Sequence, residues 1–313
     1  MRHLADTLTE TRLQPPAPGL YARPRNVTRL EDCWFYHTMD LPGYGTVQGE
    51  WDLRAGVREY LGRVGLRGKR VLEVGTASGF LCFTMEQQGA EVVAVELAPG
   101  RPHDFIPRAR AGNLSRFLRE TRHGLDRMRN SYWLGHRAFR SRARVHYGSA
   151  YALPAALGRF DVSTFGCVLM HLRDPFLALA NALRLTRDTV ILTLALNRQP
   201  WEPAVLQRGL LTRLRLTARR WAKRLLGYGP APPHADNIPC LVFLPPSQPD
   251  NTDTWWFFTP SLLQQFLDVL GFEDSRVTYH RQLYRGRPHA MYTLVGHRTQ
   301  PPPGRIDGPY PWW

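Results

Sequence analysis

Lysine is nearly absent from this chain of 313 residues, because Lys69 and Lys223 are its two lysines among 41 basic residues. Such a preference for arginine indicates the coding bias of a GC-rich genome and carries little functional meaning. The 26 acidic residues leave a net charge of +15. That excess favours contact with polyanions, anionic substrates or acidic surfaces, without choosing among them.

Long apolar runs and metal-binding clusters are missing as well. No stretch of about 18 apolar residues occurs, so we expect no transmembrane helix. The N-terminal segment lacks the apolar centre of a secretory signal, and we expect a cytoplasmic protein. No CxxC pair or histidine–cysteine cluster is present, so we expect no metal site and reduced, buried cysteines. The cysteines are Cys33, Cys82, Cys167 and Cys240.

What the sequence does contain is a strand–turn–helix–strand pattern. Arg70–Val74 has strand character, a cluster of small residues follows, Phe80–Gln88 has helical spacing, and Glu91–Val95 is a second apolar strand. This is a βαβ unit, which predicts a parallel sheet with both faces covered by helices.

Further elements follow at the spacing that such a sheet requires. The sequence predicts additional helices at 53–66, 176–185 and 260–270. It predicts additional strands at 144–147, 160–165, 189–194, 276–280 and 290–296.

Composition divides the chain into a core with additions. An arginine-rich insertion at 98–143 should form one or two helices. A second insertion joins a basic amphipathic helix to a proline-rich loop, and it would serve as a lid or as a homo-oligomer contact. The divisions are an N-terminal arm and aromatic cap at 1–52, a core at 53–197, the second insertion at 198–250, the rest of the core at 251–298 and an irregular tail at 299–313.

The small residues after the first core strand point to a ligand. Gly75, Ala77 and Gly79 follow at two-residue steps, and small side chains let a ligand approach the backbone N–H groups at a helix N-terminus. Glu96 ends the next strand, where a carboxylate can accept hydrogen bonds from two ribose hydroxyls. The spacing differs from that of NAD and FAD sites and no P-loop lysine is present, so we expect another nucleoside-bearing cofactor.

The segment VLEVGTASGFLCFTMEQQGAEVVAVEL resembles the first motifs of class I S-adenosylmethionine-dependent methyltransferases, and FDVSTFGCVLMHLRDP resembles the fourth-strand motif of that fold. The likeness extends over residues 33–296. WFYHTMDLPGYGTVQGEWD and SYWLGHRAF are similar to a bacterial group related to the tRNA uridine-34 carboxymethyltransferase. The resemblance implies an α/β, Rossmann-like class I methyltransferase fold: a seven-stranded, mostly parallel sheet with helices on both faces, an N-terminal cap and helical insertions.

The resemblance also implies S-adenosylmethionine as the cofactor and assigns residues to it. Glu96 would hold the ribose hydroxyls, and Leu97 would lie against the adenine. Ser149 and Ala150 stand where the family often has an acid for the adenine amino group. The residues implied for the methionine and ribose part are Glu73, Gly75, Thr76, Ala77 and Gly79.

One departure from the tRNA enzyme concerns the cofactor that donates the transferred group. Its Val-Leu-Tyr-His tetrad reads Val168-Leu169-Met170-His171 here. The missing tyrosine is one of the groups by which that enzyme contacts the carboxylate of a carboxylated cofactor. We therefore expect ordinary S-adenosylmethionine and plain methyl transfer, and the same loss weakens a tRNA substrate.

Three side chains are candidates for the chemistry. Methyl transfer needs an aligned acceptor, and a general base helps where that acceptor is a hydroxyl. His171 follows the fourth core strand, where the acceptor should lie, and is either a base, an acceptor contact or a structural histidine. Tyr36 and His37 belong to an N-terminal segment that either closes over the cofactor or caps the core.

The sequence therefore predicts an S-adenosylmethionine-dependent methyltransferase that acts on a small-molecule acceptor such as a secondary metabolite. A second interpretation is an RNA-modifying methyltransferase whose arginines follow the phosphates. A third is a non-catalytic scaffold that docks its basic amphipathic helix on a membrane or a partner protein.

Overall fold

A computed structural model of the chain describes residues 19–101, 103–106, 114–196, 239–244 and 253–301. The strands are β1 (Met39–Leu41), β2 (Gly45–Val47), β3 (Trp51–Asp52), β4 (Arg70–Val74), β5 (Glu91–Glu96), β6 (Arg144–Tyr147), β7 (Phe160–Gly166), β8 (Thr186–Ala195), β9 (Leu241–Phe243), β10 (Trp256–Phe258), β11 (Asp274–Tyr284) and β12 (Arg287–His297). The α-helices are α1 (Val57–Tyr60), α2 (Phe80–Gln87), α3 (Leu114–Ala138), α4 (Pro175–Leu183) and α5 (Pro260–Val269).

A mixed sheet of eight strands forms the centre of the molecule, in the order β3-β11-β12-β8-β7-β4-β5-β6. The neighbours from β8 to β6 pair in parallel, whereas β12 is antiparallel to both β8 and β11. From β4 the chain first extends the sheet through β5 and β6, and then returns to add β7 on the other side of β4. The strand order thus reverses at β4. Open α/β sheets bind their ligands in the crevice outside the carboxyl ends of the strands at such a point.

Alternating side chains of the inner strands pack into two separate cores. On β5, Val92 and Ala94 face one layer while Val93 and Val95 face the other, and all four are buried. One layer contains α1, α2, α3 and the N-terminal cap, and the other contains α4 and α5. Burying an aliphatic side chain of this size contributes roughly 1.5–3 kcal/mol, so continuous apolar runs in the inner strands stabilise a sheet covered on both faces.

The sheet has one strand more than the seven expected from the sequence. The extra strand is β3, which pairs antiparallel with Leu283 and Tyr284 at the end of β11. Its two residues, Trp51 and Asp52, belong to the segment that the sequence assigned to the cap. A pairing this short, between residues more than two hundred positions apart, leaves no periodic signal in the sequence.

The helix expected over 53–66 is wrong in its extent. The chain forms a 3₁₀ turn at Arg54–Gly56 and the four-residue α1, and then leaves the helix. Gly62 and Arg63 both have positive φ, at 62° and 59°, which ends a right-handed helix. Tyr60 and Leu61 contribute to the helical apolar spacing in this stretch, and a single helical turn is enough to bury both side chains.

The insertion at 98–143 contains one long helix, α3, within its described residues. The amphipathic helix expected in the 198–250 insertion, and the tail after residue 301, lie outside the described residues. From that insertion the structure describes 239–244, where β9 pairs antiparallel with β10. None of the described helices combines the length and apolar character needed to cross a membrane.

Candidate functional site

The turn between β4 and α2 lies at the switch point of the sheet. Gly75, Ala77 and Gly79 all have positive φ, at 81°, 51° and 88°. A Cβ on Gly79 would lie 2.6 Å from the ring of Phe83 and 2.8 Å from that of Tyr132, so helix packing requires glycine there. Ala77 holds the left-handed conformation with a side chain, at a cost of about 1 kcal/mol. The left-handed residues and the packing of Gly79 therefore fix the path of the backbone in this turn.

The carboxylate of Glu96 faces this turn from the end of β5. One oxygen accepts a hydrogen bond from the Ala77 N–H at 3.1 Å, and the other accepts one from the Leu97 N–H at 2.8 Å. Burial raises the pKa of Glu96, while the two backbone donors partly offset that rise. Each carboxylate oxygen has a second lone pair. The acid is thus held rigidly with capacity to accept two more hydrogen bonds.

Arg129 on α3 supports the segment that follows Glu96. Its side chain is 2% exposed, and its Nε and Nη2 donate to the Leu97 carbonyl at 3.3 and 3.0 Å. Asp126, one turn earlier, pairs with Nη1 at 2.9 Å. Sequence reasoning grouped this arginine with the basic insertion and missed its role. The available signal was the Asp126–Arg129 spacing on a helix face that also carries large aromatic residues.

Ser149 and Ala150 lie at the edge of the crevice next to Glu96. The N–H of Gly148 donates to the Glu96 carbonyl at 2.9 Å, which joins the ends of β5 and β6. The Ser149 hydroxyl accepts from the Tyr151 N–H at 3.2 Å, so it forms a local turn. Their contact with an adenine group stays a prediction.

A loop at 103–106 is fastened across the same edge by Asp104. Its carboxylate accepts hydrogen bonds from the Tyr151 hydroxyl and, at 2.8 Å, from the Arg173 N–H. Its carbonyl accepts from Nε1 of Trp255 at 2.9 Å. Three separate segments are thereby joined over the crevice, and the sequence alone offered no sign of this arrangement.

Glu73 lies beneath the turn, on the last part of β4. It is 2% exposed, and neither carboxylate oxygen has a hydrogen-bond partner of good geometry among the described residues. Burial raises its pKa to about 7; the nearby Thr76 hydroxyl and Cys82 thiol lower it in part, and the charge of Glu96 raises it further. The hydroxyl of Thr76 is likewise buried and unpartnered within the described chain. A buried acid that titrates near neutrality therefore lies directly under the crevice.

The N-terminal cap contacts the turn through His37. Its backbone N–H donates to the Ser78 hydroxyl at 3.1 Å, and its Nδ1 lies 3.4 Å from the same oxygen. Burial lowers the pKa of His37 to about 3, so the ring is neutral. Tyr36, whose hydroxyl oxygen accepts from Nε1 of Trp51 at 3.2 Å, has its pKa raised strongly by burial. The structure brings both predicted residues to the site as parts of a docked cap.

His171 follows β7 in a short 3₁₀ turn. Its Nδ1 is 2.9 Å from the backbone carbonyl oxygen of Asp253, and a carbonyl can only accept, so Nδ1 carries a proton. In the neutral form of this ring, Nε2 is the nitrogen with the lone pair. Val168 in the same segment lies against the turn after β4, because a Cβ on Gly75 would be 3.0 Å from its Cγ2. His171 is thereby placed beside the crevice, on the side of β4 opposite to Glu96.

No family model and no curated protein matches the chain. Solved structures similar to it include magnesium protoporphyrin IX methyltransferase from Synechocystis PCC 6803 with bound S-adenosylhomocysteine, at 13% identity, a TM-score of 0.45 and coverage of 79% of this chain and 82% of that one. A second is the 1,6-didemethyltoxoflavin N1-methyltransferase of Burkholderia thailandensis, at 16% identity, a TM-score of 0.42 and coverage of 79% and 78%. A third is the N-methyltransferase NodS of Bradyrhizobium japonicum WM9, at 11% identity, a TM-score of 0.40 and coverage of 78% and 84%.

The topology confirms the Rossmann-like fold expected from the sequence. The resemblance implied a mostly parallel sheet with helices on both faces, and the structure has both features. β8, β7, β4, β5 and β6 pair in parallel, and β12 lies antiparallel beside β8. Because the similar structures share few residues with this chain, the functional interpretation depends on the residues of the crevice.

Proposed function

We propose that the chain is an S-adenosylmethionine-dependent methyltransferase that methylates a small-molecule acceptor. The observation that carries this proposal is the carboxylate of Glu96, held by two backbone N–H groups opposite the left-handed turn at the switch point. Adjacent ribose hydroxyls suit a rigid carboxylate with two unused lone pairs, because each hydroxyl donates one hydrogen bond.

The charge of the crevice selects among nucleoside ligands. Glu73 and Glu96 are close enough for the charge of one to raise the pKa of the other. A phosphate above this turn would meet two acids and no P-loop lysine, whereas a cationic group would offset the cost of ionising Glu73. The residues therefore fit a phosphate-free nucleoside that carries positive charge, as S-adenosylmethionine does.

The residues present can hold each part of that cofactor. Glu96 would take the ribose, Leu97 and the Ser149–Ala150 segment would border the adenine, and the turn from Gly75 to Gly79 would face the methionine part. When bound, the cofactor supplies an electrophilic methyl group on a sulfonium centre.

The protein's own task is to align the acceptor and to exclude water. The segment 168–171 touches the turn, so an acceptor beside His171 also lies beside the cofactor crevice. Nε2 of His171 has the lone pair that accepts a proton from an acceptor hydroxyl. His37 of the cap contacts the turn through Ser78, and Asp104 ties the 103–106 loop to Tyr151 and Arg173. A small acceptor would reach the cofactor between these two segments.

Isothermal titration calorimetry of the full chain tests the proposal. We expect S-adenosylhomocysteine and S-adenosylmethionine to bind with one-to-one stoichiometry, and ATP and NAD to give no measurable heat of binding. If neither methionine-derived ligand binds, the proposal fails and the non-catalytic scaffold becomes the better account. Preferential binding of NAD or ATP would contradict the charge argument.

A further inference from the structure

His103 is a titratable residue of the crevice that neither the sequence motifs nor the proposed cofactor contacts account for. It begins the described loop at 103–106, after β5. Its Nε2 is buried and has no hydrogen-bond partner among the described residues. Burial lowers the pKa of His103, which favours the neutral ring, and the groups of Asp253 and His171 are near enough to influence it. Buried polar groups without a partner are uncommon in folded proteins, so this nitrogen needs a partner that the described residues do not supply.

Hydrogen bonds join the segments that carry His103 and His171. The N–H of Trp255 donates to the Met170 carbonyl at 2.9 Å, and its Nε1 donates to the Asp104 carbonyl at 2.9 Å. Trp255 thus ties the segment that carries His171 to the segment that carries His103. The Asp253 carbonyl accepts a hydrogen bond from Nδ1–H of His171, so Nε2 is the nitrogen of that ring left to contact an acceptor, and Nε2 of His103 has no hydrogen-bond partner among the described residues.

We propose that His103 and His171 together bind the methyl acceptor at a hydroxyl group, so that the acceptor is a hydroxylated small molecule and is methylated on oxygen. This inference rests on the proposed methyltransferase function. Nε2 of His171 accepts the hydrogen bond of the reacting hydroxyl, and Nε2 of His103 makes a hydrogen bond to the acceptor beside that hydroxyl.

The transfer step balances with these groups. The acceptor oxygen forms a bond to the methyl carbon, the sulfur–carbon bond breaks with its electron pair going to sulfur, and the hydroxyl proton moves to Nε2 of His171. The resulting imidazolium is stabilised by the Asp253 carboxylate, which lies 3.9 Å from Nδ1. A neutral amine acceptor gains much less from a base, because its lone pair is available without losing a proton. Two available imidazole nitrogens therefore favour oxygen as the methylated atom.

Nuclear magnetic resonance of the full chain, labelled with ¹⁵N in its histidines and saturated with S-adenosylhomocysteine, tests the inference. Catechol is the probe, and aniline is the matched control because it has a similar ring without a hydroxyl. We expect catechol to shift the Nε2 signals of both His103 and His171, and aniline to shift neither. His280, whose ring is engaged by Thr293 and Gln282, serves as the internal reference. A shift of His171 alone, of neither ring, or an equal response to aniline would overturn the inference.

Variants separate this inference from the proposed function. His103→Phe should weaken catechol binding about tenfold, the usual effect of losing one hydrogen bond, and leave S-adenosylhomocysteine affinity unchanged. His103→Gln, which keeps a hydrogen-bonding side chain, should recover part of the loss and also serves if the phenylalanine variant misfolds. His123→Phe, at an exposed position of α3, is the matched control and should change neither affinity. Normal catechol binding by both His103 variants would overturn the inference, whereas absent S-adenosylhomocysteine binding by the parent chain would refute the proposed function itself.

Discussion

Replacing Glu96 with glutamine removes the charge that we assign to ribose binding and keeps the shape of the side chain. The glutamine amide has one acceptor oxygen in place of two, and that oxygen is neutral. One charge-assisted hydrogen bond to the ligand is therefore lost and the other becomes neutral. Charge-assisted bonds contribute about 1.5–3 kcal/mol and neutral ones about 0.5–1.5 kcal/mol, so the expected loss of binding free energy is about 2.5–4.5 kcal/mol. That loss corresponds to roughly 60- to 1,600-fold weaker binding.

Two opposing effects keep the folded state of Glu96→Gln close to that of the parent chain. Burial raises the pKa of Glu96, so removing its charge relieves a cost in the folded state. The Ala77 and Leu97 N–H groups share one remaining acceptor, which costs about 1–3 kcal/mol. The net change in unfolding free energy should stay within about 2 kcal/mol, and urea unfolding checks it.

Calorimetry with S-adenosylhomocysteine measures the effect on binding. The matched control is Glu91→Gln at the opposite end of β5, where the side chain is exposed and pairs with Arg70 at 3.2 Å and with Arg144. This control should bind like the parent chain. A folded Glu96→Gln variant that binds within about threefold of the parent, or an equal loss in Glu91→Gln, would refute the assignment of Glu96 to the ribose.

Three further predictions concern the groups around the crevice. Glu73→Gln should raise the unfolding free energy at pH 8 by up to about 3 kcal/mol, because burial raises the pKa of the Glu73 carboxyl from 4.5 to about 7 and the substitution removes the buried charge. This gain in stability should shrink as the pH falls from 7 towards 4.5. Equal gains in urea unfolding at pH 5 and pH 8 would contradict this prediction. Gly49→Ala should weaken S-adenosylhomocysteine binding, since a Cβ there would lie 2.6 Å from the Thr38 nitrogen and displace the cap. An unchanged affinity in calorimetry would show that the cap does not affect the crevice. Trp255→Phe removes the donor to Asp104, so amide hydrogen exchange in the 103–106 loop should accelerate, and unchanged exchange would mean that this bond does not hold the loop.

The inner strands and the cofactor turn were predictable because their signals are local. β4 begins and ends where the sequence predicted it, and the buried run Val71–Val74 needs no distant partner to be recognised. The helix predicted at 176–185 corresponds to α4, where Asp174 accepts from the Leu177 N–H at 2.9 Å and Pro175 occupies the first helical position. The spacing of small residues and the acid after β5 likewise identified the turn before its left-handed conformation was seen.

The rest of the site depends on contacts between distant segments. Ser78 meets His37 across 41 residues, and Trp255 meets Asp104 across 151. Neither pair leaves a periodic pattern or a motif, so sequence reasoning could not find it. His103 is the clearest case, because its significance comes from burial and from neighbours on other loops. Local patterns thus predicted the turn after β4 and the acid at the end of β5, and the structure was needed for the contacts around His103 and His171.

The central claim is that this crevice binds S-adenosylmethionine between Glu96 and His171. A crystal structure of the full chain with S-adenosylhomocysteine measures this most directly. We predict both ribose hydroxyls within hydrogen-bond distance of the Glu96 carboxylate, and the thioether sulfur on the side of the turn that faces His171. A nucleoside bound away from the carboxyl end of β4, or a ribose that makes no contact with Glu96, would contradict the account.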